Sequence, residues 1–309
     1  MSSKRTAANI LMVIGTMIWG AAFVAQSVGA EHIGAYTFGA VRFFLGALVV
    51  IPFYFYTRSR IPAAERKPDA PFGRYLFAGF VCGAALFLGA LFQQLGIERT
   101  TVGKAGFVTV LYVVLVPVIS FFLYKRKIAG RIYISIVLAL VGIYLLCVNE
   151  GFSVNLGDIY TFIGAIFWAA QILCIERFAQ TLDGLKFTIY EFLCCAAING
   201  VLMFAIDRPT WGALQAAAIP LLYSGLLSVG VGFTAQTVCL KYTDPTVASL
   251  IMSLESVFAV VFGFLILGQT LTLRQGIGCV LVFAAVILAQ IVPKGAKYAA
   301  QQAAGETQE

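Results

Sequence analysis

Residues 15–24 read GTMIWGAAFV, and residues 164–173 read GAIFWAAQIL, 149 positions further on. The same shift brings Ile14-Gly15 onto Ile163-Gly164, Trp19 onto Trp168, Ala21 onto Ala170 and Phe43 onto Phe192. Further along, a shift of 143 sets Gln93 on Gln236, Thr100 on Thr243, Ala105 on Ala248, Leu111 on Leu254 and Phe121 on Phe264. It also sets Arg131 on Arg274, Ile134 on Ile277 and Val137-Leu138 on Val280-Leu281. The six-residue change in shift is absorbed in the loop Thr57–Pro71. The chain is therefore read as two copies of one unit, and that reading governs the fold.

Composition sets the solvent of those units. The 309 residues are 61% hydrophobic and 11% charged, against about 25% charged in a soluble domain. So little polar surface cannot cover a water-soluble fold, and the bilayer is expected to solvate most of the chain. A spanning helix needs about 20 mostly apolar residues. Ten segments qualify: 9–29, 34–56, 72–96, 102–124, 132–148, 157–177, 187–206, 213–239, 245–267 and 275–292. The expected organisation is a cytoplasmic segment 1–8, a first repeat 9–149, a second repeat 150–292 and a polar tail 293–309. The first apolar segment follows Lys4 and Arg5 without a clear cleavage site and is read as a span, not a removable signal peptide.

Charge sets the orientation. With the N-terminus cytoplasmic, sixteen of the 21 Lys and Arg residues fall on the inside, four on the outside and one, Arg42, within a span. The excess of inside cations places both termini in the cytoplasm, in the cytoplasmic (inner) membrane. Because five is odd, the second repeat must enter from the opposite side. The expected architecture is thus an all-α integral membrane protein of ten transmembrane helices, arranged as two inverted five-helix repeats. Inverted repeats of this kind characterise alternating-access transporters, whose site lies near the midplane where the repeats meet.

The motifs carry a family resemblance. The run TTVGKAGFVTVLYVVLVPVIS (100–120), followed by a basic turn and the span ending LVGIYLL (140–146), resembles the first EamA repeat of the drug/metabolite transporter superfamily. The run SLESVFAVVFGFLILGQTLTLRQGIG (253–278) resembles the second, as do the tryptophan-bearing first spans and the arginine in FGAVRFFLGAL (38–48). The resemblance covers about residues 9–292 and implies a ten-helix exporter of amino acids, related metabolites or drugs. The sequence departs from the family pattern at Gly268-Gln269, where Gly-Glu is usual, and at Ser256, where proline is expected.

Charges within the hydrocarbon cost at least a few kcal/mol unless paired or hydrated, so Arg42, Glu191 and Glu255 are the first site candidates. Glu255 lies near mid-span, and its repeat mate Tyr112 does too. The pair is expected to face a central hydrated cavity, where Glu255 binds a substrate ammonium or exchanges a proton; the alternative is a glutamate that only joins helices. Arg42 either clamps a substrate carboxylate or locks the bundle by pairing with a carboxylate or a helix carbonyl end. Glu191, the mate of Arg42, sits five positions into its span, where an interfacial or structural role is the simpler reading. Trp19 and Trp168 lie mid-span, away from the interfacial belt, and their indole N–H groups need a cavity or a neighbouring carbonyl. Gln93 and Gln236, near opposite faces, are gate residues or helix-to-helix hydrogen-bond partners. Pro117 removes a backbone hydrogen bond and is a candidate kink. Glycine pairs such as Gly79/Gly83 and Gly276/Gly278 allow close helix approach, compatible with a monomer or a weak dimer.

The other function classes have less behind them. No C-x-x-C pair or Cys/His cluster suggests a metal, and the seven cysteines read as packing residues. No G-x-x-x-x-G-K-[ST] run suggests ATP hydrolysis. The single histidine, His32, falls in an outside loop, so an intramembrane enzyme is disfavoured. A net charge of +7 in short loops does not make a nucleic-acid face. Neither a soluble signalling domain nor a continuous polar stripe points to a sensor or a channel. The partners expected are a small-molecule substrate, the lipid bilayer and protons as a coupling ion, with no cofactor. A multidrug or hydrophobic-compound exporter is the alternative substrate reading.

Overall fold

The structure, a computed structural model, describes residues 3–60, 69–100, 102–125, 130–147, 155–267 and 272–290. Helix is the only regular structure among them, as a lipid-facing backbone requires when every N–H and C=O must be satisfied within the chain. The helices are α1 (Ser3–Ala30), α2 (Ala35–Ser59), α3 (Phe72–Ile97), α4 (Val102–Thr109), α5 (Tyr112–Tyr124), α6 (Gly130–Cys147) and α7 (Leu156–Ala179). They continue as α8 (Gly184–Leu202), α9 (Trp211–Ala216), α10 (Ala218–Leu222), α11 (Thr234–Tyr242), α12 (Pro245–Met252), α13 (Leu254–Leu267) and α14 (Leu273–Gln290). A π-helical turn, Met203–Asp207, extends α8, and a π-helical stretch, Tyr223–Phe233, joins α10 to α11.

Local chemistry starts these helices. Asn155 and Asp158 form a capping box on α7, which satisfies two otherwise orphaned N–H groups. Asp183 caps α8 and Asp244 caps α12, with Pro245 in the first turn, where its missing N–H costs nothing.

Eight helical segments are long and apolar enough to cross a membrane among the described residues. The apolar stretches Gly130–Leu145 and Leu273–Ala289, at the expected fifth and tenth spans, are shorter. At 1.5 Å per residue they fall somewhat short of the roughly 30 Å hydrocarbon core. Three expected spans are not single helices, the eighth being interrupted at Ala217, near its start. The fourth breaks between Thr109 and Tyr112, and the ninth breaks at Ser253. These breaks stand 143 positions apart, the repeat shift itself. Pro117 lies inside α5, beyond the break, and its repeat position is Val260, in a helix that breaks at the same place without a proline. The turn at Gly268-Gln269 and the tail from residue 294 lie outside the described residues.

Packing pairs elements of one half with elements of the other. The main contacts are α3 with α7, α2 with α8, α6 with α14, and α1 with both α13 and the stretch from Tyr223 to Tyr242. α2 and α8 run antiparallel: Thr37 at the start of α2 donates through its N–H and hydroxyl to Asp207 past the end of α8, at 2.7 and 2.8 Å. At the other end of this pair, Asp69 bridges Arg58 at 3.4 Å and Lys186 at 2.6 Å. The Lys186 hydrogen bond, helped by Tyr75 and Arg58, holds the Asp69 carboxyl below its ordinary value of 3.8. Gly79 and Gly83 face α8 within the same chain, against Tyr190 and Cys194, so they serve internal packing.

Several contacts occur twice, with repeat-related residues in exchanged roles. Thr243 Oγ1 donates to Asn9 Oδ1 at 2.6 Å, and Thr100 Oγ1 donates to Asp158 Oδ1 at 2.7 Å. Asn9 and Asp158 are 149 positions apart, and Thr100 and Thr243 are 143 apart. The Trp19 indole lies on Gly232, and the Trp168 indole lies on Gly89, the residue 143 positions before Gly232.

Candidate functional site

The helix breaks open onto a central cavity lined from both halves, by Trp19, Arg42 and Tyr112 on one side and by Trp168, Phe233 and Glu255 on the other. Tyr112 begins α5 immediately after the first break, and Glu255 lies in the first turn of α13 after the second. Tyr112 Oη donates to Glu255 Oε1 at 3.0 Å. Both are buried, at 3% and 6% exposure. The expected repeat-mate pair is therefore a direct hydrogen bond that joins the halves and lines the cavity at once.

Arg42 enters the cavity from α2. Its Nη1 donates to Gln26 Oε1 at 3.0 Å, and its guanidinium lies 5.3 Å from the Phe38 ring centre and 4.9 Å from that of Phe43. It forms no ion pair among the described residues, and its Nε has no hydrogen-bond partner. The lock by a carboxylate or a helix end, one of the two readings of the sequence, is not what holds it; a glutamine and two aromatic faces do.

Trp19 and Trp168 form opposite parts of an aromatic wall around Phe233. The Phe233 ring lies 4.9 Å from Trp19 and stacks on Trp168 at 5.6 Å. The two indoles differ in what they bond: Trp19 Nε1 donates to the Ser228 carbonyl at 3.1 Å, whereas Trp168 Nε1 has no partner. A buried N–H left unbonded costs about 1–3 kcal/mol, so Trp168, a residue of the cavity wall, carries a donor in need of an acceptor.

The two glutamines, Gln93 and Gln236, both reach this cavity. Gln93 Nε2 donates to Thr109 Oγ1 at 3.2 Å, next to the first helix break. Gln236 Nε2 donates to Gln171 Oε1 at 3.0 Å, and its own Oε1 has no partner. Each bonds a neighbouring helix, as the helix-to-helix reading expects. Glu191 does not line the cavity. It is buried on α8 and accepts from Gln171 Nε2 of α7 at 2.8 Å. No group of three or more His, Cys, Asp or Glu side chains able to hold a metal occurs among the described residues.

Comparison with known proteins places this cavity in a family. The model of the EamA-like transporter family matches residues 6–148 and again residues 155–290. The chain belongs to the EamA-like transporter family. It is similar to an uncharacterized transporter of Archaeoglobus fulgidus, with 30% identity over 93% of this chain and 87% of the relative. It is also similar to the uncharacterized transporter YoaV of Bacillus subtilis, with 23% identity over 86% of this chain and 91% of the relative. A solved crystal structure, 17% identical, covers 92% of this chain and 96% of its own with a TM-score of 0.75, a likeness of fold alone. Family and apolar helices together make the chain a multi-pass membrane protein with a part in transport.

Sequence reasoning missed several residues of this EamA-like cavity: Gln26, Thr109, Ser228, Met252 and above all Phe233. Gln26 carried a signal, being a polar amide on an apolar helix about two turns beyond Trp19. Phe233 carried none, as one of 26 phenylalanines whose repeat position is Ala90.

Proposed function

We propose that this protein is a secondary transporter, acting as an exporter, that moves a small metabolite across the cytoplasmic membrane by alternating access between two inverted five-helix repeats. The observation that carries the reading is the cavity at the two helix breaks. Broken helices around a central site are a recurrent feature of secondary transporters. The exchanged contacts, Thr243–Asn9 with Thr100–Asp158 and Trp19–Gly232 with Trp168–Gly89, support a twofold relation between the halves. A ten-span count with both termini cytoplasmic accords with that relation and with the distribution of lysine and arginine. A reporter fused after Lys297 should read cytoplasmic.

The cavity's chemistry favours a zwitterion such as an amino acid. Glu255 suits an ammonium group, and the free Nε of Arg42 suits a carboxylate. The wall of Trp19, Trp168 and Phe233 is the observation that favours the second reading, export of apolar aromatic compounds. Efflux from proteoliposomes loaded with a mixed amino-acid and metabolite panel, read by mass spectrometry for wild type and Glu255→Gln, separates them. Protein-dependent loss of zwitterions that the substitution abolishes supports the first reading. Loss confined to apolar compounds supports the second, and no loss of any compound contradicts both.

A further inference from the structure

Glu191 lies outside the cavity, yet an unbroken line of side-chain hydrogen bonds connects it to the cavity wall. Gln171 Nε2 donates to Glu191 Oε1 at 2.8 Å, Gln236 Nε2 donates to Gln171 Oε1 at 3.0 Å, and Gln236, a residue of the cavity wall, ends the line with its Oε1 unbonded. Gln171 and Gln236 are fully buried and Glu191 is 1% exposed, so water does not compete for these groups.

The line has a direction. A carboxyl oxygen accepts hydrogen bonds whether the group is ionised or neutral, and Glu191 Oε1 is the acceptor here, whereas a primary amide donates from one end and accepts at the other. A carboxylate at position 191 therefore turns the NH2 of Gln171 toward itself. The Gln171 oxygen then faces Gln236 and captures its NH2, which leaves the Gln236 oxygen unbonded at the cavity wall. With an amide in place of the carboxylate, either direction satisfies the line equally, and the cavity end is no longer set.

We propose that Glu191 is a specificity-determining positioning residue: through Gln171 it fixes Gln236 as a hydrogen-bond acceptor in the cavity wall, selecting substrates that present an ammonium or hydroxyl donor there. The proposal rests on the cavity being the substrate site. It gives a second acceptor besides Glu255, and it explains why a buried carboxylate is kept on α8 with no cation paired to it among the described residues.

The test compares wild type, Glu191→Gln and Gln236→Met in nanodiscs. Each is titrated with L-leucine and with 4-methylpentanoate, the same skeleton without the ammonium, following tryptophan emission in a Trp211→Phe background, where Trp19 and Trp168 are the emitters. Wild type is expected to prefer L-leucine, and both substitutions are expected to lower that preference about tenfold, the factor carried by one hydrogen bond of ordinary strength. A purely structural Glu191 would weaken both compounds alike and leave the ratio unchanged, which would overturn the proposal. The Gln236→Met protein keeps the test decisive if Glu191→Gln does not fold, because an unchanged ratio there also overturns it. If wild type binds neither compound, the zwitterion reading of the cavity fails and the proposal with it; an unchanged ratio in a protein that binds removes the relay alone.

Discussion

Adding one methyl group at Gly232 brings a Cβ to 2.5 Å from Trp19 Nε1 and 3.1 Å from Cδ1 and Cε2 of the same ring. The same change at the repeat-related Gly89 brings a Cβ only to 3.1 Å from the Trp168 ring. In Gly232→Ala the Trp19 indole must move away, and it loses its bond to the Ser228 carbonyl. A buried donor left unsatisfied costs about 1–3 kcal/mol, and overpacking adds about 1–3 kcal/mol. Alanine returns about 0.5–1 kcal/mol over glycine within a helix, so the net loss is about 1–5 kcal/mol. In Gly89→Ala the ring needs to yield only a few tenths of an ångström, and Trp168 Nε1 has no bond to lose. The gain from alanine then roughly offsets the crowding, for a net change of about 1 kcal/mol or less. Thermal unfolding in one detergent, followed by tryptophan emission, should show a lowered midpoint for Gly232→Ala and a near wild-type one for Gly89→Ala. Equal midpoints, or the reverse order, would refute the assignment of the two tryptophan seats.

The two exchanged threonine bonds should differ in strength. Thr100→Val removes a bond to a carboxylate and is expected to cost about 1.5–3 kcal/mol, whereas Thr243→Val removes one to an amide oxygen and should cost about 0.5–1.5 kcal/mol; denaturant unfolding of the two variants measures the order. Asp69 predicts a pH effect. Its native pKa lies below the unfolded value, so its contribution is complete above about pH 4 and is lost as pH falls through the lower native value. The carboxylate is partly exposed, which limits the effect to a few tenths of a kcal/mol; Asp69→Asn should therefore lower the unfolding midpoint slightly at pH 7, and the difference should shrink as pH falls below about 4.

What the sequence made legible follows from rarity. A charge in an apolar span is costly, so Arg42, Glu191 and Glu255 stood out, and the repeat shift paired Glu255 with Tyr112 before any geometry was known. Trp19 and Trp168 stood out because mid-span is not where tryptophan is enriched. The helix breaks were hidden: Val110 and Leu111 carry no helix-breaking signal, and the visible breaker, Pro117, sits inside a continuous helix. Glu191 is read from the sequence as interfacial or structural because depth is counted from the span's end. Burial depends instead on neighbouring helices, and Gln171, its partner, comes from a helix 20 residues away in sequence. Phe233 was invisible because its role arises where the repeats differ, against Ala90, and a search for likeness between the halves passes over such positions.

Alternating access through the central cavity is tested most directly at Met252, which lines it and is 3% exposed. Met252→Cys, in a chain whose seven native cysteines are replaced, is exposed to a membrane-impermeant thiol reagent in right-side-out and in inside-out vesicles. The account predicts labelling from both sides, each slowed by a transported substrate. Labelling from one side only, whatever ligand is present, would contradict it.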